Sequence, residues 1–517
     1  MATETGESDV ASGYSTIRET GSPNTGLAPD TRRESARYVN ARTSDFRSPR
    51  MSTSPYGSRL WNQIYTSWLA PALIPGTHRG LRQRLQRLDQ LQKLSLEQNW
   101  ELQWQSLQRL LQHAYDTTPF YKKRFDDSGI EPSRITSPAD LERIPPLTRQ
   151  DIRNNLESLW SRRYRREELL AAATGGTTDS PVQLLRAPDC VDEKVAIQLH
   201  FDTWAGMWPG DKVLYLWGAR SDYAQDPSWR WRFYDRYLMR RIWLATSLLN
   251  PQVLESYRVT LNRFRPRIIY AYPTPLAIFC EYLLSCGRPY FRPVSAICTA
   301  EPLMPSQRET IEKALGVPIF EKYGARDFGM IAGECEQHQG MHLNPESAYV
   351  ELRPVEGAEV QGLCEILITD LLNYGMPLIR YKVNDCTVVS SERCACGRGF
   401  PLIGQIIGRT TDNFLLPNGD VVPGVSLTNR VIQVCPGIRK LQIIQEKIDS
   451  IRVRYVAGES FSADDLANLQ KKLNIFFGQS VHWTFEKTEE IERERSGKTR
   501  MCISRVTARD LKQAETR

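Results

Sequence analysis

The sequence predicts an α/β protein with two folded domains, and three observations support this prediction. The chain has 517 residues, more than a single hydrophobic core usually serves. Between residues 170 and 408, short apolar segments of strand character alternate with helical segments, which is typical of mixed sheets covered by helices. The last hundred residues or so contain a second, smaller series of strands around one helix. We therefore expect a large N-terminal domain at 58–408 and a small α+β C-terminal domain at 409–517.

Composition and charge exclude several classes of protein. Residues 1–57 are rich in Ser, Thr, Gly, Pro and Arg, so we expect a disordered tail. The net charge of +7 arises from 67 basic and 60 acidic residues, and this small surplus does not favour nucleic-acid binding. No apolar run is long enough to span a membrane, and the first residues, "MATETGESDV", do not form a secretory signal. We therefore expect a cytoplasmic protein with reduced thiols.

The region from about 80 to 170 is predicted to be helical. Apolar residues recur at helical spacing at Leu107, Leu110, Leu111 and Ala114, and the sequence "TTP" at 117–119 interrupts the pattern. Two later helices have N-terminal capping signals, one at Ser137–Pro138 and one at Thr148.

Six segments between 170 and 408 are predicted to be strands. They are "KVLYLWG" (212–218), "RIIYAYP" (267–273), "SAICTA" (295–300), "PIFEKYG" (318–324), "CEILITDL" (364–371) and "DCTVVS" (385–390). In the C-terminal domain, "KLQIIQEK", "SIRVRYVAG" and "VHWTFEK" are predicted strands, with a helix at about 462–476.

The sequence "TGGTTDSPV" at 174–182 has the composition of a phosphate-binding loop. Its glycines permit close backbone approach, and its threonines supply hydroxyl donors. It lacks the spacing and the lysine of a Walker A loop. Taken alone, it is equally well interpreted as a polar turn.

The loop belongs to an ordered set of motifs, and this set resembles the adenylate-forming (acyl-AMP) superfamily. The other members are "TAEPL" (299–303), "YGARDFG" (323–329), "TDLLNYGMPLIRYKVND" (369–385), "IGRTTDNF" (407–414) and "RSGKTR" (495–500). Together with the helical region before them, they are similar to the phenylacetate–CoA ligase-like branch of that superfamily. The resemblance covers about residues 100 to 505 and implies an AMP-forming acid–thiol ligase whose small C-terminal domain moves during turnover.

The resemblance assigns the ATP site residue by residue. The phosphate loop would be Thr174, Gly175, Gly176, Thr177 and Thr178. Tyr323 would stack on adenine beside Gly324, and Asp327 lies where the superfamily has a glutamate that holds Mg²⁺. Asp385 would accept the ribose hydroxyls.

Further residues follow from the same resemblance. Arg409 would contact the ribose or a phosphate, and Glu301 would be a cofactor-binding residue near the acyl group. Asp412 would lie near the interdomain hinge, and Lys498 would be the lysine that the C-terminal domain supplies for adenylation. The expected cofactors are ATP, Mg²⁺ and coenzyme A.

The chain departs from the superfamily pattern at three positions. Asp179 places a negative charge beside the predicted phosphate loop, and Asp327 is one methylene shorter than the usual glutamate. Asn384 replaces the glycine before the ribose carboxylate, although asparagine tolerates left-handed backbone.

A second group of residues has the composition of a zinc site. Cys335 and His342 lie in "GECEQHQGMHLNP", and Cys394 and Cys396 lie in "RCACGRGFP". Three cysteines and one histidine make a closed tetrahedral set, so we expect a structural zinc knuckle at 335–342 and 394–396. His338 is the alternative fourth ligand, and free thiols are the alternative to a metal.

The acyl pocket is predicted less specifically. By resemblance it lies near Tyr215, Trp217, Tyr270, Tyr272, Cys298 and Glu301. Aromatic walls favour an aryl or other planar acid, although the same residues are also typical of a core.

Three alternatives remain open at this stage. One is an adenylating enzyme whose acceptor is an amine, a carrier protein or a sugar. Another is a degenerate, zinc-stabilised scaffold without catalysis, which the three departures motivate. The third is nucleic-acid binding through the arginine-containing tail. The expected partners are a small carboxylic acid, coenzyme A or another thiol, and a second copy of the chain.

Overall fold

An eight-stranded sheet forms the centre of the large domain in the structure, a computed structural model. The structure describes residues 80–173, 182–218, 233–246, 249–355, 362–390, 393–409, 413–417, 421–423, 437–458, 461–477, 481–492 and 501–506. The order of the strands in this sheet is β13-β9-β8-β7-β6-β5-β3-β4. Their bounds are β3 Val213–Trp217, β4 Arg241–Ala245, β5 Ile268–Ala271, β6 Ser295–Thr299, β7 Ile319–Ala325, β8 Gly329–Glu334, β9 Met341–Leu343 and β13 Leu402–Ile403.

The direction of the strands changes within this sheet. Strands β4, β3, β5, β6 and β7 are parallel, and β8, β9 and β13 add antiparallel strands beyond β7. Parallel strands need crossover connections, which here are α7 Pro251–Phe264, α8 Pro273–Ser285 and α9 Pro305–Leu315. These helices pack on one face of the sheet around Phe279, Leu261 and Ile269.

Three of the N-terminal helices begin or end where the sequence signals predict. The N-terminal helices are α1 Leu81–Leu91, α2 Leu96–Thr117, α3 Pro119–Asp127, α4 Pro138–Leu141, α5 Arg149–Leu159 and α6 Pro188–Trp204. Ser137 and Thr148 form capping boxes with Asp140 and Asp151, so both predicted helix starts are confirmed. The four apolar residues predicted on α2 are fully buried in the largest core cluster.

Two smaller sheets complete the large domain. Strands β1 Leu170–Ala173 and β2 Gln183–Arg186 form an antiparallel pair, with Ala173 opposite Gln183. The antiparallel sheet β10-β11-β12-β14 contains β10 Ala348–Pro354, β11 Leu363–Asp370, β12 Tyr381–Val388 and β14 Ile406–Arg409. All six predicted strands of this domain are present, whereas eight further strands in the described ranges were not predicted, namely β1, β2, β4, β8, β9, β10, β13 and β14.

The C-terminal part has its own sheet and its own core. The sheet has the order β19-β18-β17-β20, and its strands are β17 Ile438–Lys447, β18 Ser450–Ala457, β19 His482–Lys487 and β20 Cys502–Ser504. Helix α10, Ala463–Phe477, contributes to this core together with Phe414 of β15 Asn413–Leu415, a strand that pairs with β16 Val421–Pro423. The α/β class with a separate α+β C-terminal unit is therefore confirmed, while the boundary at 408/409 stays a prediction.

Candidate nucleotide and metal sites

The residues predicted to bind adenine and ribose lie next to each other. Tyr323 is on β7 and Asp385 is on β12, in different sheets. The Tyr323 hydroxyl donates a hydrogen bond of 2.9 Å to the Asp385 carboxylate oxygen Oδ2. Asp385 is also the register partner of Arg409 on β14. Tyr323 and Asp385, 62 residues apart in sequence, thus meet at one place, and the backbone of Arg409 lies beside that of Asp385.

A tight turn after β7 explains the glycine that follows Tyr323. A Cβ atom on Gly324 would lie 2.6 Å from the Gly329 carbonyl oxygen, so a larger residue would force the strands apart. Asp327 lies in the same turn and is buried. The predicted magnesium ligand is therefore held by the backbone immediately beyond the predicted adenine-binding residue.

Two non-glycine residues beside the site have left-handed backbone. Asn384 has φ of 63°, in agreement with the expectation for this position. Ala300 has φ of 70° and precedes Glu301, whose Oε2 accepts a hydrogen bond from the Thr274 backbone N–H at 3.3 Å. Such conformations cost of order 1–2 kcal/mol for residues with a Cβ atom and are frequent at functional sites. Both strained residues directly precede a predicted site carboxylate.

An aromatic row crosses the parallel strands on the face opposite α7, α8 and α9. Ring centroids are 4.4 Å apart for Trp217 and Tyr272, and 5.3 Å apart for Tyr215 and Tyr270. Tyr215 also stacks on Trp243 at 4.1 Å. Four of the residues predicted to line the acyl pocket therefore share one surface.

Cys298 does not belong to this aromatic surface. It is fully buried in the core between the sheet and helices α7, α8 and α9. Successive side chains of a strand point to opposite faces of the sheet. Cys298 points to the face opposite the one that carries Tyr215 and Tyr270. The expectation that Cys298 lines the pocket is therefore wrong.

Several predicted residues lie outside the described part of the chain. These are Thr174, Gly175, Gly176, Thr177, Thr178, Asp179, Asp412 and Lys498. Strands β1 and β2 flank the segment 174–181 and are directly paired. The roles of these residues remain predictions.

The four predicted zinc ligands converge in the structure. One ligand atom from each of Cys335, His342, Cys394 and Cys396 lies within 4.8 Å of the other three. The Cys335 and Cys394 sulfurs are 3.5 Å apart, and the Cys396 sulfur is 3.4 Å from His342 Nε2. Two sulfurs bound at about 2.3 Å in a tetrahedral zinc site are roughly 3.8 Å apart, so the spacing fits a zinc ion.

Contacts around these residues prepare them to bind a metal. Backbone N–H groups of Gln337 and Arg398 donate to the sulfurs of Cys335 and Cys396. His342 Nδ1 lies 3.3 Å from the Phe400 carbonyl oxygen, which orients Nε2 toward the sulfurs. Burial lowers the pKa of His342 to about 4, so its ring is neutral at pH 7, as a metal ligand requires.

His338, the alternative ligand, lies elsewhere. Its Nδ1 is 3.2 Å from Glu334 Oε2, and its ring packs on Phe320. The chain around Gly399 meanwhile contacts the start of α2, because the Asn99 side chain donates to the Gly399 carbonyl oxygen at 2.8 Å. The Cys/His group thus joins β8 and β9 to the N-terminal helices.

A buried ion pair next to the site was not predicted from the sequence. Lys322 Nζ lies 2.5 Å from Asp202 Oδ1, and both side chains are almost fully buried. Lys322 immediately precedes Tyr323, and its ammonium lies 5.5 Å from the Tyr270 ring centroid. The lysine in "FEKYG" indicates a buried ion pair only if β7 is first recognised as a strand that is buried on both faces.

Comparison with a solved structure identifies the fold class of the chain. In overall fold the chain is similar to 2-hydroxyisobutyryl-CoA ligase, solved in the postadenylation state with 2-HIB-AMP, with a TM-score of 0.63. The sequence identity is 18%, and the match covers 83% of this chain and 94% of that one. The fold is therefore that of the adenylate-forming ligases.

The chain also has sequence relatives of two kinds, CapK and phenylacetate-coenzyme A ligases. Protein CapK of Staphylococcus aureus is 23% identical over 411 residues, which cover 79% of this chain and 89% of that protein. The phenylacetate-coenzyme A ligase of Thermus thermophilus is 25% identical over 356 residues, covering 65% and 75% respectively. Residues 414–505 match the family described as the CapK C-terminal domain. The resemblance to the phenylacetate–CoA ligase-like branch is thereby confirmed.

Proposed function

We propose that the protein activates a carboxylic acid with ATP to an acyl-adenylate and then transfers the acyl group to coenzyme A. The observation that carries this proposal is the contact between Tyr323 and Asp385 beside Arg409. An ATP site needs a ring that can stack on adenine and a carboxylate that can accept hydrogen bonds from the ribose hydroxyls. These two groups must lie within the length of one nucleoside. The names of the sequence relatives and of the fold relative support the same chemistry.

Each step asks the protein for position and charge rather than for covalent chemistry. The acid's carboxylate oxygen attacks the α-phosphorus of ATP, the bond to the bridging oxygen breaks, and pyrophosphate leaves. Thr174 to Thr178 are proposed to bind the phosphates, and Lys498 to neutralise charge on the reacting phosphate. The coenzyme A thiol then attacks the acyl carbonyl, and AMP leaves after the C-terminal domain has moved.

Magnesium and zinc are proposed for different tasks. Asp327 is the proposed Mg²⁺ ligand, because its carboxylate lies in the turn beyond Tyr323 and oxygen ligands suit this ion. Zinc is proposed at Cys335, His342, Cys394 and Cys396, with four protein ligands and hence a structural role. Zinc would supply folding energy to this part of the domain and would take no part in the reaction.

We further propose an acid with an aryl group. The support is the aromatic row of Tyr215 and Trp217 on β3, Tyr270 on β5 and Tyr272 directly after β5.

No helix within the described ranges is long and apolar enough to cross a membrane. A cytoplasmic location, the absence of a nucleic-acid partner and a homodimer remain predictions, and size-exclusion chromatography with light scattering tests the last of these.

Pyrophosphate release tests the function directly. Purified protein is given ATP, Mg²⁺, hydroxylamine and a panel of aryl and aliphatic acids, and acid-dependent release is expected for aryl acids. Lys498→Ala is expected to suppress release while leaving ATP binding in place. Coenzyme A, amines, carrier protein and sugars are then supplied with acyl-AMP to identify the acceptor. If folded, metal-containing protein releases no pyrophosphate with any of the acids, the result would favour a non-catalytic scaffold.

A further inference from the structure

Helix α5 carries two arginines and lies near the strand that follows the predicted phosphate loop in sequence. Arg149 and Arg153 are four residues apart, so they lie on one face of the helix. The helix packs against β2, the strand that follows residues 174–181. Its start is fixed by Leu147, whose N–H donates to the Arg380 carbonyl and whose carbonyl accepts from Lys382 N–H. Both arginines are thus carried by an anchored helix.

The start of α5 and the turn that contains Asp327 both adjoin Tyr381. Leu147, two residues before α5, forms an isolated parallel β-bridge with Tyr381. The Phe328 ring, next to Asp327, packs 5.6 Å from the Tyr381 ring. Burial raises the pKa of Tyr381 to about 12, the negative charge of Asp327 adds to this rise, and the guanidinium groups of Arg149 and Arg153 oppose it. The first turn of α5, which carries Arg149, therefore lies close to the turn of the proposed magnesium ligand.

A third arginine reaches the same turn from β2. Arg186 Nη2 donates a hydrogen bond to the carbonyl oxygen of Arg326, the residue before Asp327. Neither Arg149 nor Arg186 forms an ion pair with any residue that the structure describes. The Nε atoms of both are buried and have no hydrogen-bond acceptor within the same ranges. A buried donor without an acceptor is costly, and the cost disappears when a ligand supplies the acceptor.

The buried donors indicate an anionic ligand. The Nε atoms of Arg149 and Arg186 are buried without an acceptor among the described residues, on two elements that adjoin the turn of the proposed metal ligand. A guanidinium group can donate two parallel hydrogen bonds to the oxygens of one phosphate group, and it remains charged at all relevant pH values. The predicted phosphate loop lacks a lysine and contains Asp179, so part of the polyphosphate charge needs compensation from elsewhere.

We propose that Arg149 and Arg186 contribute to a binding site for the β- and γ-phosphates of ATP and hold the pyrophosphate that leaves. This inference rests on the proposed adenylation reaction. In that reaction the electron pair of the broken bond stays on the bridging oxygen, so negative charge develops on the leaving group. Guanidinium groups at this position stabilise that charge and need to donate no proton.

Binding measurements with two fragments of ATP test the proposal. Isothermal titration calorimetry on the full-length protein gives the dissociation constants of AMP and of magnesium pyrophosphate. For Arg149→Gln and Arg186→Gln, we expect pyrophosphate affinity to fall about tenfold or more, the usual effect of losing a charge-assisted hydrogen bond. AMP affinity is expected to stay within about twofold, because AMP lacks these phosphates. Arg149→Lys should recover part of the loss, since it restores the charge without the paired donors.

Arg143→Gln is the matched control, because Arg143 is an exposed arginine shortly before α5. The inference is overturned if Arg149→Gln and Arg186→Gln behave like this control, or if they weaken AMP and pyrophosphate binding equally. ATP–pyrophosphate exchange with an aryl acid separates this inference from the proposed function. If the wild-type protein catalyses exchange and the variants catalyse it equally well, only the arginine site is refuted. A wild-type protein that binds neither fragment and catalyses no exchange refutes both.

Discussion

Removing the ammonium of Lys322 tests the buried ion pair that supports the adenine-binding strand. Lys322 Nζ contacts Asp202 Oδ1 at 2.5 Å and donates to the Gln198 carbonyl at 3.3 Å. Asp202 Oδ2 has no hydrogen-bond partner among the described residues. In Lys322→Met, a carboxylate that is 1% exposed would therefore lose its counter-ion. Burial already raises the pKa of Asp202 against the attraction of Lys322, so without the lysine this carboxyl takes up a proton on folding.

The cost of that proton uptake gives the magnitude. A carboxyl with an unfolded pKa of about 3.9 that is protonated in the folded state costs about 4 kcal/mol at pH 7 and about 1.5 kcal/mol at pH 5. The sign follows from the raised folded pKa, because the folded variant binds the extra proton and loses stability as pH rises. We expect Lys322→Met to lower the free energy of unfolding by these amounts, measured by urea denaturation at both pH values.

Two control variants make this prediction refutable. Asp202→Asn in the Lys322→Met background should abolish the difference between pH 5 and pH 7, because the titrating group is gone. Lys93→Met removes an ion pair whose side chains are 66% and 53% exposed, and it should cost about 1 kcal/mol or less. A pH-independent loss in Lys322→Met, or a loss no larger than that of Lys93→Met, would refute the reasoning.

Three further predictions concern the metal, the backbone and a buried histidine. Purified protein should contain one zinc per chain by atomic emission spectroscopy, and Cys394→Ala should lose the zinc and unfold at lower temperature, whereas the half-buried Cys286→Ala should keep it. Zinc in Cys394→Ala at wild-type stoichiometry would contradict the ligand set. Asn384→Ala should lower the free energy of unfolding by about 1 kcal/mol while Asn384→Gly leaves it nearly unchanged, because φ is 63°; equal effects in thermal denaturation would exclude backbone strain as the cause. Burial lowers the pKa of His200 to about 4, so the unfolded chain binds the extra proton below pH 6.5 and stability falls as pH is lowered. From pH 7 to pH 5 this contributes a loss of about 2 kcal/mol, which His200→Phe should remove in denaturation measured at both pH values.

Local features of the structure follow from local sequence. The capping boxes at Ser137 and Thr148, the buried face of α2 and the parallel strands β3, β5 and β6 need only neighbouring residues for their prediction. Caps and periodicity act over three or four residues, so their signal survives without a partner from elsewhere. Strands β8, β9 and β10 were missed because they contain glycines, histidine and charged residues, and their partners are other strands.

The candidate sites were predicted in part, through motifs whose chemistry is legible in sequence. The set of Cys335, His342, Cys394 and Cys396 was identified from the sequence, with His338 as the alternative, and the pairing of β8 with β9 brings His342 to the three cysteines. The row of Tyr215 and Trp217 was anticipated, whereas the burial of Cys298 on the opposite face was not. Which face a strand residue takes depends on what the whole sheet buries.

By itself, the sequence determined the α/β class, the capped helices, the strands and the residue types available for nucleotide and metal chemistry. Only the tertiary structure decided which of these residues meet. Tyr323 reaches Asp385 across 62 positions, and Arg186 reaches the Asp327 turn across 140. Helix hydrogen bonding and hydrophobic periodicity depend on residues close in sequence. Contacts between residues distant in sequence depend on the order of strands in a sheet. That order is set by burying large apolar surfaces together, a property of the folded chain as a whole.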